Sequence, residues 1–413
     1  MRLGPRTTCL DAMGAMSEPA GQQSAAILVV DDVAENRDLL LRRLGRLGFK
    51  DIDQARNGNE ALAAIAAKAY DLVLLDIMMP ELDGFGVLEA LKRDGRINDL
   101  PVVVISALSE IEPVVRCIEL GAEDFIFKPF NPTLLRARVL ATVEKKALRD
   151  RTRDELARKQ RELDEARILQ LALAPPPFAG TRGGRALRID VLLEPAKEVG
   201  GDVVDHFALG EHTAVLALGD VSDKGAGAAL MMARTHALMR ALAARPDAAA
   251  LFAKPERALD LVNAALAENN ASCTFVTFFL ATLDLASGRL AYVRAGHVPP
   301  YHRVGLGAAA GAVGRLDVLG GPPLGLDEAA RYRGGAATLA PGDRLLVLTD
   351  GFTEAHDPQG ALFGDKRVAA FMAAVATDEA DPLARLVGEV RAFAAGRPAF
   401  DDMAALLVTF GAP

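Results

Sequence analysis

Three carboxylates, a hydroxyl and an ammonium stand where apolar runs end in the first third of the chain. Asp31 and Asp32 close "AAILVVDD", Asp76 closes "YDLVLLDI", Ser106 ends the run in "PVVVISA", and Lys128 follows "DFIF". Hard oxygen donors of this kind hold Mg2+, while a neighbouring ammonium and hydroxyl receive phosphoryl oxygens. Asp76 is then placed to act as a nucleophile and carry an acyl phosphate.

A second acidic set lies in the other half, in the turns "EVGGDVVDHF", "GDVSDKG", "LTDGFTEA" and "AFDDMAALLV". Any one of them reads equally well as an ordinary polar turn, since Asp, Ser and Gly are what turns are made of. Asp220, Asp350 and Asp401 adjoin apolar runs, however, so their carboxylates can gather at one end of a sandwich. With the six histidines scattered, the donor set favours Mg2+ or Mn2+ over zinc. Carboxylates in this number can bridge two such ions about 3.5–4 Å apart and activate water for in-line attack on a phosphate.

The elements that must position these residues differ between the halves. From Ala25 to about Arg149, the runs "AAILVVDD", "DIDQARN", "YDLVLLDI", "PVVVISA" and "DFIFKPF" alternate with helical patterns, as in five βα units. Three of the runs are continuously apolar, the mark of a parallel sheet covered on both faces. Right-handed crossovers then make a doubly wound sheet with its binding rim at the strand carboxyl ends.

From Asn131 to Leu173 the chain reads as one long charged helix, stopped by "APPP". Leu156, Leu163, Ala166, Gln170 and Leu173 fall at coiled-coil spacing, which suggests a homodimer through this helix; Lys159 interrupts the seam. Beyond about Arg185, "RIDVLLEP", "TAVLALGD", "FVTFFLATLD", "GRLAYVRAG", "DRLLVLTDG" and "MAALLVTF" read as strands. Helices are expected near Ala226–Ala244, Glu256–Asn269 and Leu383–Ala395, and a surface loop over Gly305–Gly314. Hairpin signals such as "DLASGR" point to antiparallel sheets layered with helices.

The expected organisation is thus a disordered leader over 1–24, an α/β domain over 25–145, and a helical linker over 131–174 that overlaps it. An α+β domain over 185–411 follows. Met16 is an alternative start to Met1. A net charge of -8 gives no sign of a nucleic-acid binder, and no apolar stretch reaches the roughly 18 residues of a membrane span. Cys9, Cys117 and Cys273 lie far apart and are odd in number, which suits a reducing cytoplasm better than a disulfide framework.

The stretches "VVDD", "LVLLDIMMPELDG", "VVISA" and "GAEDFIFKPF" resemble the receiver domain of two-component response regulators. The resemblance implies Asp31 and Asp32 as Mg2+ ligands, Asp76 as phosphoacceptor and metal ligand, and Ser106 and Lys128 as phosphate contacts. Phe125 stands at the family's aromatic switch, and an upstream histidine kinase is the implied phosphodonor.

From about Ala166 to Phe410 the chain resembles the PPM-type (type 2C) metal-dependent protein phosphatases, in the bacterial branch typified by SpoIIE and RsbU. The resemblance rests on "EARILQLALAP", "GGD", "GDVSDKGAGAALMMA", "FVTFFLATLD", "LAYVRAGHVPPY", "PPLGL", "LAPGDRLLVLTDGFTEA" and "DDMAALLV". It implies Asp202, Asp220, Asp350 and Asp401 as metal-binding carboxylates, with the Val221 carbonyl as a further ligand and Asp402 able to exchange roles with Asp401. Two Mn2+ or Mg2+ ions are implied, as is a phosphorylated STAS-type anti-sigma-factor antagonist as substrate. The chain departs from the pattern at Val203 and Val204, where aromatic residues are usual, and at Asp223 and Lys224, where the common form has glycine and histidine. These departures leave open a weakly catalytic domain that binds a partner instead. A diguanylate cyclase reading of "GGD" leaves "TDGFTEA" and "DDMAALLV" unexplained.

Overall fold

The computed structural model describes residues 24–106, 111–307, 309–318, 320–376 and 379–411. The leader expected before Ser24, Cys9 and the choice between Met1 and Met16 lie outside the described residues. The chain divides into two compact units, one up to Lys159 and the other from Gln160.

In the first unit, β1 (Ala26–Val30), β2 (Asp51–Ala55), β3 (Leu72–Asp76), β4 (Val102–Ser106) and β5 (Asp124–Phe127) form a sheet of order β2-β1-β3-β4-β5. Every pairing is parallel. Successive side chains of a strand face opposite ways, so β1, β3 and β4 feed two cores. Leu28, Val30, Val73, Leu75, Val102 and Val104 pack under α2 (Gly58–Ala67), α3 (Gly84–Arg93) and α4 (Ile111–Leu120). Ile27, Val29, Leu72, Leu74, Val103 and Ile105 pack under α1 (Ala34–Arg46) and the start of α5 (Pro132–Leu171). Burial on both faces is why these runs are continuously apolar.

The helix α5 begins where Asn131 Oδ1 accepts the N–H groups of Thr133 and Leu134 at 2.9 and 3.2 Å, with Pro132 in the first helical position. Along its far half, Leu156, Ala166 and Leu173 are exposed and Leu163 is half-buried, but Gln170 is only 5% exposed. Gln170 therefore leaves the seam suggested by its spacing and turns into the second unit's own interior.

The second unit contains β6 (Phe178–Arg182), β7 (Arg185–Glu194), β8 (Val203–Ala208), β9 (Thr213–Val221), β10 (Val276–Asp284), β11 (Arg289–Ala295), β12 (Tyr301–Arg303), β13 (Val313–Arg315), β14 (Gly335–Thr338), β15 (Arg344–Leu348) and β16 (Met403–Phe410). They make two antiparallel sheets, β14-β11-β10-β9-β8 and β13-β12-β15-β16-β7-β6. The helices are α6 (Ala226–Ala243), α7 (Ala248–Phe252), α8 (Pro255–Ala267), α9 (Asp350–Thr353), α10 (Gly364–Ala374) and α11 (Pro382–Ala394).

The layering follows from strand alternation. In β9, Leu216 and Leu218 meet Val347, Leu406 and Val408 of the other sheet, while Val215 and Ala217 meet Met232, Leu259 and Val262 of the helices. On the far side, Leu346 and Leu407 pack against Phe371, Leu386 and Val387 of α10 and α11. The result is helix, sheet, sheet, helix, the α+β sandwich expected from the sequence.

Two details differ from that expectation. The "FAGTR" strand β6 pairs with β7 and carries the sheet back past residue 185, where the domain was expected to begin. Residues Val203–Ala208, expected as part of an acidic turn, form the edge strand β8 on β9. Within β8, Asp205 is 1% exposed and accepts two bonds from Arg240 of α6, at 2.8 and 2.5 Å.

Candidate functional site

In the first unit, the rim of the parallel sheet brings Asp31, Asp32 and Asp76 together, with one ligand oxygen from each lying within 4.8 Å of the others. Asp31 and Asp76 are buried and Asp32 is exposed. Lys128 Nζ bridges the two buried acids, at 2.7 Å from Asp31 Oδ2 and 2.8 Å from Asp76 Oδ2. Backbone fixes the other oxygens: Val33 N–H donates to Asp31 Oδ1 and Ile77 N–H to Asp76 Oδ1, each at 2.9 Å. Burial drives the Asp76 carboxyl above its usual range despite Lys128. Burial also weighs against the Lys128 charge, yet the bonds to Asp31 and Asp76 outweigh it and raise its pKa. Ser106 is buried at the end of β4, and its carbonyl accepts the Lys128 N–H at 2.7 Å.

In the second unit, four strand ends deliver the other acids. Asp202 immediately precedes β8, Asp220 lies near the end of β9, Asp350 opens α9 after β15, and Asp401 lies just before β16. Asp202 is 1% exposed; Thr349 Oγ1 donates to its Oδ2 at 2.9 Å, and its Oδ1 is buried with no hydrogen-bond partner. Burial, then the charges of Asp220 and Asp402, hold Asp202 well above the usual carboxylate range. Burial, then Asp350 and Asp401, push Asp220 up to about 7. Asp350 is raised by burial, Glu354 and Asp401. The carboxyls are therefore close enough to feel one another, although among the described residues only the Asp31 group is gathered within 4.8 Å.

The doubled acid divides its work. Asp402 Oδ1 accepts the Ala196 N–H at 2.7 Å and Oδ2 the Gly201 N–H at 2.6 Å, so this side chain pins the loop that carries Asp202. A Cβ on Gly200 would lie 2.4 Å from Asp402 Oδ2, which leaves room for glycine alone. Asp401 instead takes the Asp402 N–H on Oδ1 at 2.9 Å and Lys224 Nζ on Oδ2 at 2.9 Å. The Val221 carbonyl lies beside Gly201, 3.3 Å from where a Cβ there would stand.

Thr349 and Lys224 are thus parts of the centre that spacing alone did not single out as such. Thr349 could have been suspected from its place before Asp350 in "LTDG". A divalent cation suits the set: the donors are hard oxygens, Asp202 Oδ1 has no partner, and burial, with repulsion between neighbouring carboxylates added to it, raises the carboxyls of Asp202, Asp220 and Asp350.

Residues 27–140 match the family described as "Response regulator receiver domain", and residues 210–411 match "Stage II sporulation protein E (SpoIIE)". The chain is 40% identical over 123 residues to "Probable transcriptional regulator ycf27" of Porphyridium aerugineum, covering 30% of this chain and 50% of that one. It is 37% identical over 184 residues to "Response regulator PleD" of Caulobacter vibrioides, covering 44% of this chain and 39% of that one. The chain thus spans half or less of these relatives. Among solved structures, the SiaA-PP2C domain of Pseudomonas aeruginosa aligns with a TM-score of 0.52 at 22% identity, covering 62% of this chain and 98% of that one, a likeness of fold. The parallel sheet lies, but for Ala26, within the residues that match the response regulator receiver domain, and most of the two-sheet sandwich lies within those that match SpoIIE.

Proposed function

We propose that the chain is a response regulator whose output is metal-dependent dephosphorylation of phosphoserine or phosphothreonine in a protein substrate. The carrying observation is Asp202, buried with its Oδ1 unpartnered and within reach of the charges of Asp220, Asp402 and Asp350. Asp202, Asp220, Asp350 and the Val221 carbonyl would hold Mn2+ or Mg2+, with Asp401 on the flank beside Lys224. Such ions supply an activated water and neutralise charge on the phosphoryl oxygens. Thr349 orients Asp202, and Asp402 fixes the loop that carries it.

At the receiver, Asp76 takes a phosphoryl group from a histidine kinase, with Asp31 and Asp32 as Mg2+ ligands and Lys128 and Ser106 meeting the transferred oxygens. Lys128 is suited to this because its ammonium already touches Asp76. The helix over 131–174 carries the signal, as the linker of a homodimer, between a receiver over 25–145 and a phosphatase domain that includes 185–411. The substrate is a phosphorylated STAS-type anti-sigma-factor antagonist and the setting is the cytoplasm. Two facts are consistent with that setting: no helix among the described residues is long and apolar enough to cross a membrane, and Cys117 and Cys273 are free thiols.

The alternative, a weakly catalytic partner-binding module, draws on the engagement of Asp401 by Lys224. Phosphate release from a phosphoserine peptide with Mn2+, by wild type and Asp76→Asn with and without acetyl phosphate, tests the proposal. Rates unmoved by the phosphodonor refute the coupling, and no release under any condition favours the binding module.

A further inference from the structure

We propose that Lys224 is a built-in cation that holds the Asp401 side of the acidic centre, so that the domain's divalent-ion uptake is set by competition with its own ammonium. The inference rests on the metal-centre reading above. Lys224 belongs to the turn between β9 and α6, and its side chain is 37% exposed. Long lysine side chains on a surface ordinarily keep their rotamer freedom. This one is held by three contacts with two residues: Asp401 Oδ2 at 2.9 Å, the Phe400 carbonyl at 2.7 Å, and the Phe400 ring, whose centroid is 4.6 Å from Nζ.

With Asp401 Oδ1 accepting the Asp402 N–H, both Asp401 oxygens are engaged. Asp202 Oδ1, by contrast, is buried without a partner. The centre is therefore divided: one side lacks positive charge and the other already has it. The reach of that charge extends to Asp350, where burial, Glu354 and Asp401 raise the carboxyl and Lys224 offsets a small part of the rise. A divalent ion approaching Asp401 must displace the ammonium or meet its repulsion. The apparent affinity there falls by the fraction of time Lys224 is bound.

The test is Mn2+ binding to the full chain, by titration calorimetry and by the EPR signal of free Mn2+, neither of which requires turnover. Lys224→Met, which keeps the length of the side chain and removes its charge, should tighten the weaker Mn2+ event severalfold, or add a bound ion. Lys224→Arg should stay with wild type, and the gain should vanish in an Asp401→Asn background. If wild type and Lys224→Met bind Mn2+ alike, the inference is wrong while the metal centre stands. If neither binds Mn2+, both fall. A tightening shared by the Met and Arg variants, or one that persists with Asp401→Asn, also overturns it, because the effect would then lie outside the ion pair.

Discussion

The side-chain amide of Gln170 closes both hydrogen-bonding positions of Gly200: Nε2 donates to the Gly200 carbonyl at 2.6 Å, and the Gly200 N–H donates to Oε1 at 2.9 Å. The next residue, Gly201, donates to Asp402, and the one after it is Asp202. The last turn of α5 thus holds the backbone of the loop that presents a central carboxylate.

Removing that grip should be felt at the acidic centre rather than in the fold as a whole. Gln170→Leu keeps the side chain's bulk but leaves the Gly200 groups unpaired, at a cost of about 1–3 kcal/mol. We expect Mn2+-dependent phosphate release to fall by at least about tenfold, while far-UV circular dichroism is unchanged. Full activity in this variant would remove Gln170 from any role in placing Asp202.

Asp202→Asn should separate stability from activity. A buried carboxyl crowded by other acids opposes folding, so its neutral isostere should raise the melting temperature of the metal-free protein. The same change removes a ligand, so the further rise on adding Mn2+ should shrink and turnover should be lost. Calorimetric scans with EDTA and with Mn2+ read both effects, and a lower metal-free melting temperature would contradict the electrostatic account.

The two halves should fail independently. Asp76→Asn should take up no phosphoryl group from acetyl phosphate, whereas Asp220→Ala should be labelled like wild type and release no phosphate from a phosphopeptide. Labelling of Asp76→Asn on phosphate-affinity gels would place the phosphoacceptor elsewhere.

His297 gives the second unit an acid-side weakness. It is 3% exposed, shares a hydrogen bond with Thr277 Oγ1 at 3.0 Å, and burial lowers its pKa from 6.5 to about 3. The unfolded chain takes up this proton before the folded one does, so its stabilising contribution is complete above pH 6.5 and is lost as the pH falls toward 3. Between pH 7 and pH 5 the loss is about 2 kcal/mol. Urea unfolding of wild type and His297→Gln across this range should show a flatter profile in the variant; parallel profiles would assign the slope to other groups.

Much of this architecture was legible because its physics is local. The runs ending at Asp31, Asp76 and Ser106 are apolar without interruption because both sheet faces are covered, and the strand ends then fall on one rim. In the second unit, "TAVLALGD" and "MAALLVTF" announced central strands for the same reason.

What was not legible depends on distant partners. β8 reads as a turn until Asp205 is seen buried against Arg240, and the two acids of "DD" are chemically alike until one faces amides and the other an ammonium. Gln170 fits an apolar repeat by spacing, yet spacing does not say whether a second helix or a glycine carbonyl will cover it.

The Asp205–Arg240 pair has one more consequence. It ties the C-terminal part of α6 to β8 through a buried carboxylate and a guanidinium that is 41% exposed, so breaking it costs less than breaking a fully buried pair. The opposite end of α6 follows Lys224, with Ala226 and Gly227 exposed and Leu230 73% exposed, and is anchored by Ala228, which is fully buried in the core. The helix is therefore fixed to the sandwich at Arg240 by charge and at Ala228 by packing. Lys224 stands just outside the second anchor, whereas Asp220 lies within β9 and is held by its pairing with Thr277, so a change at Lys224 alters the charge of the centre without loosening the strand that carries its carboxylate.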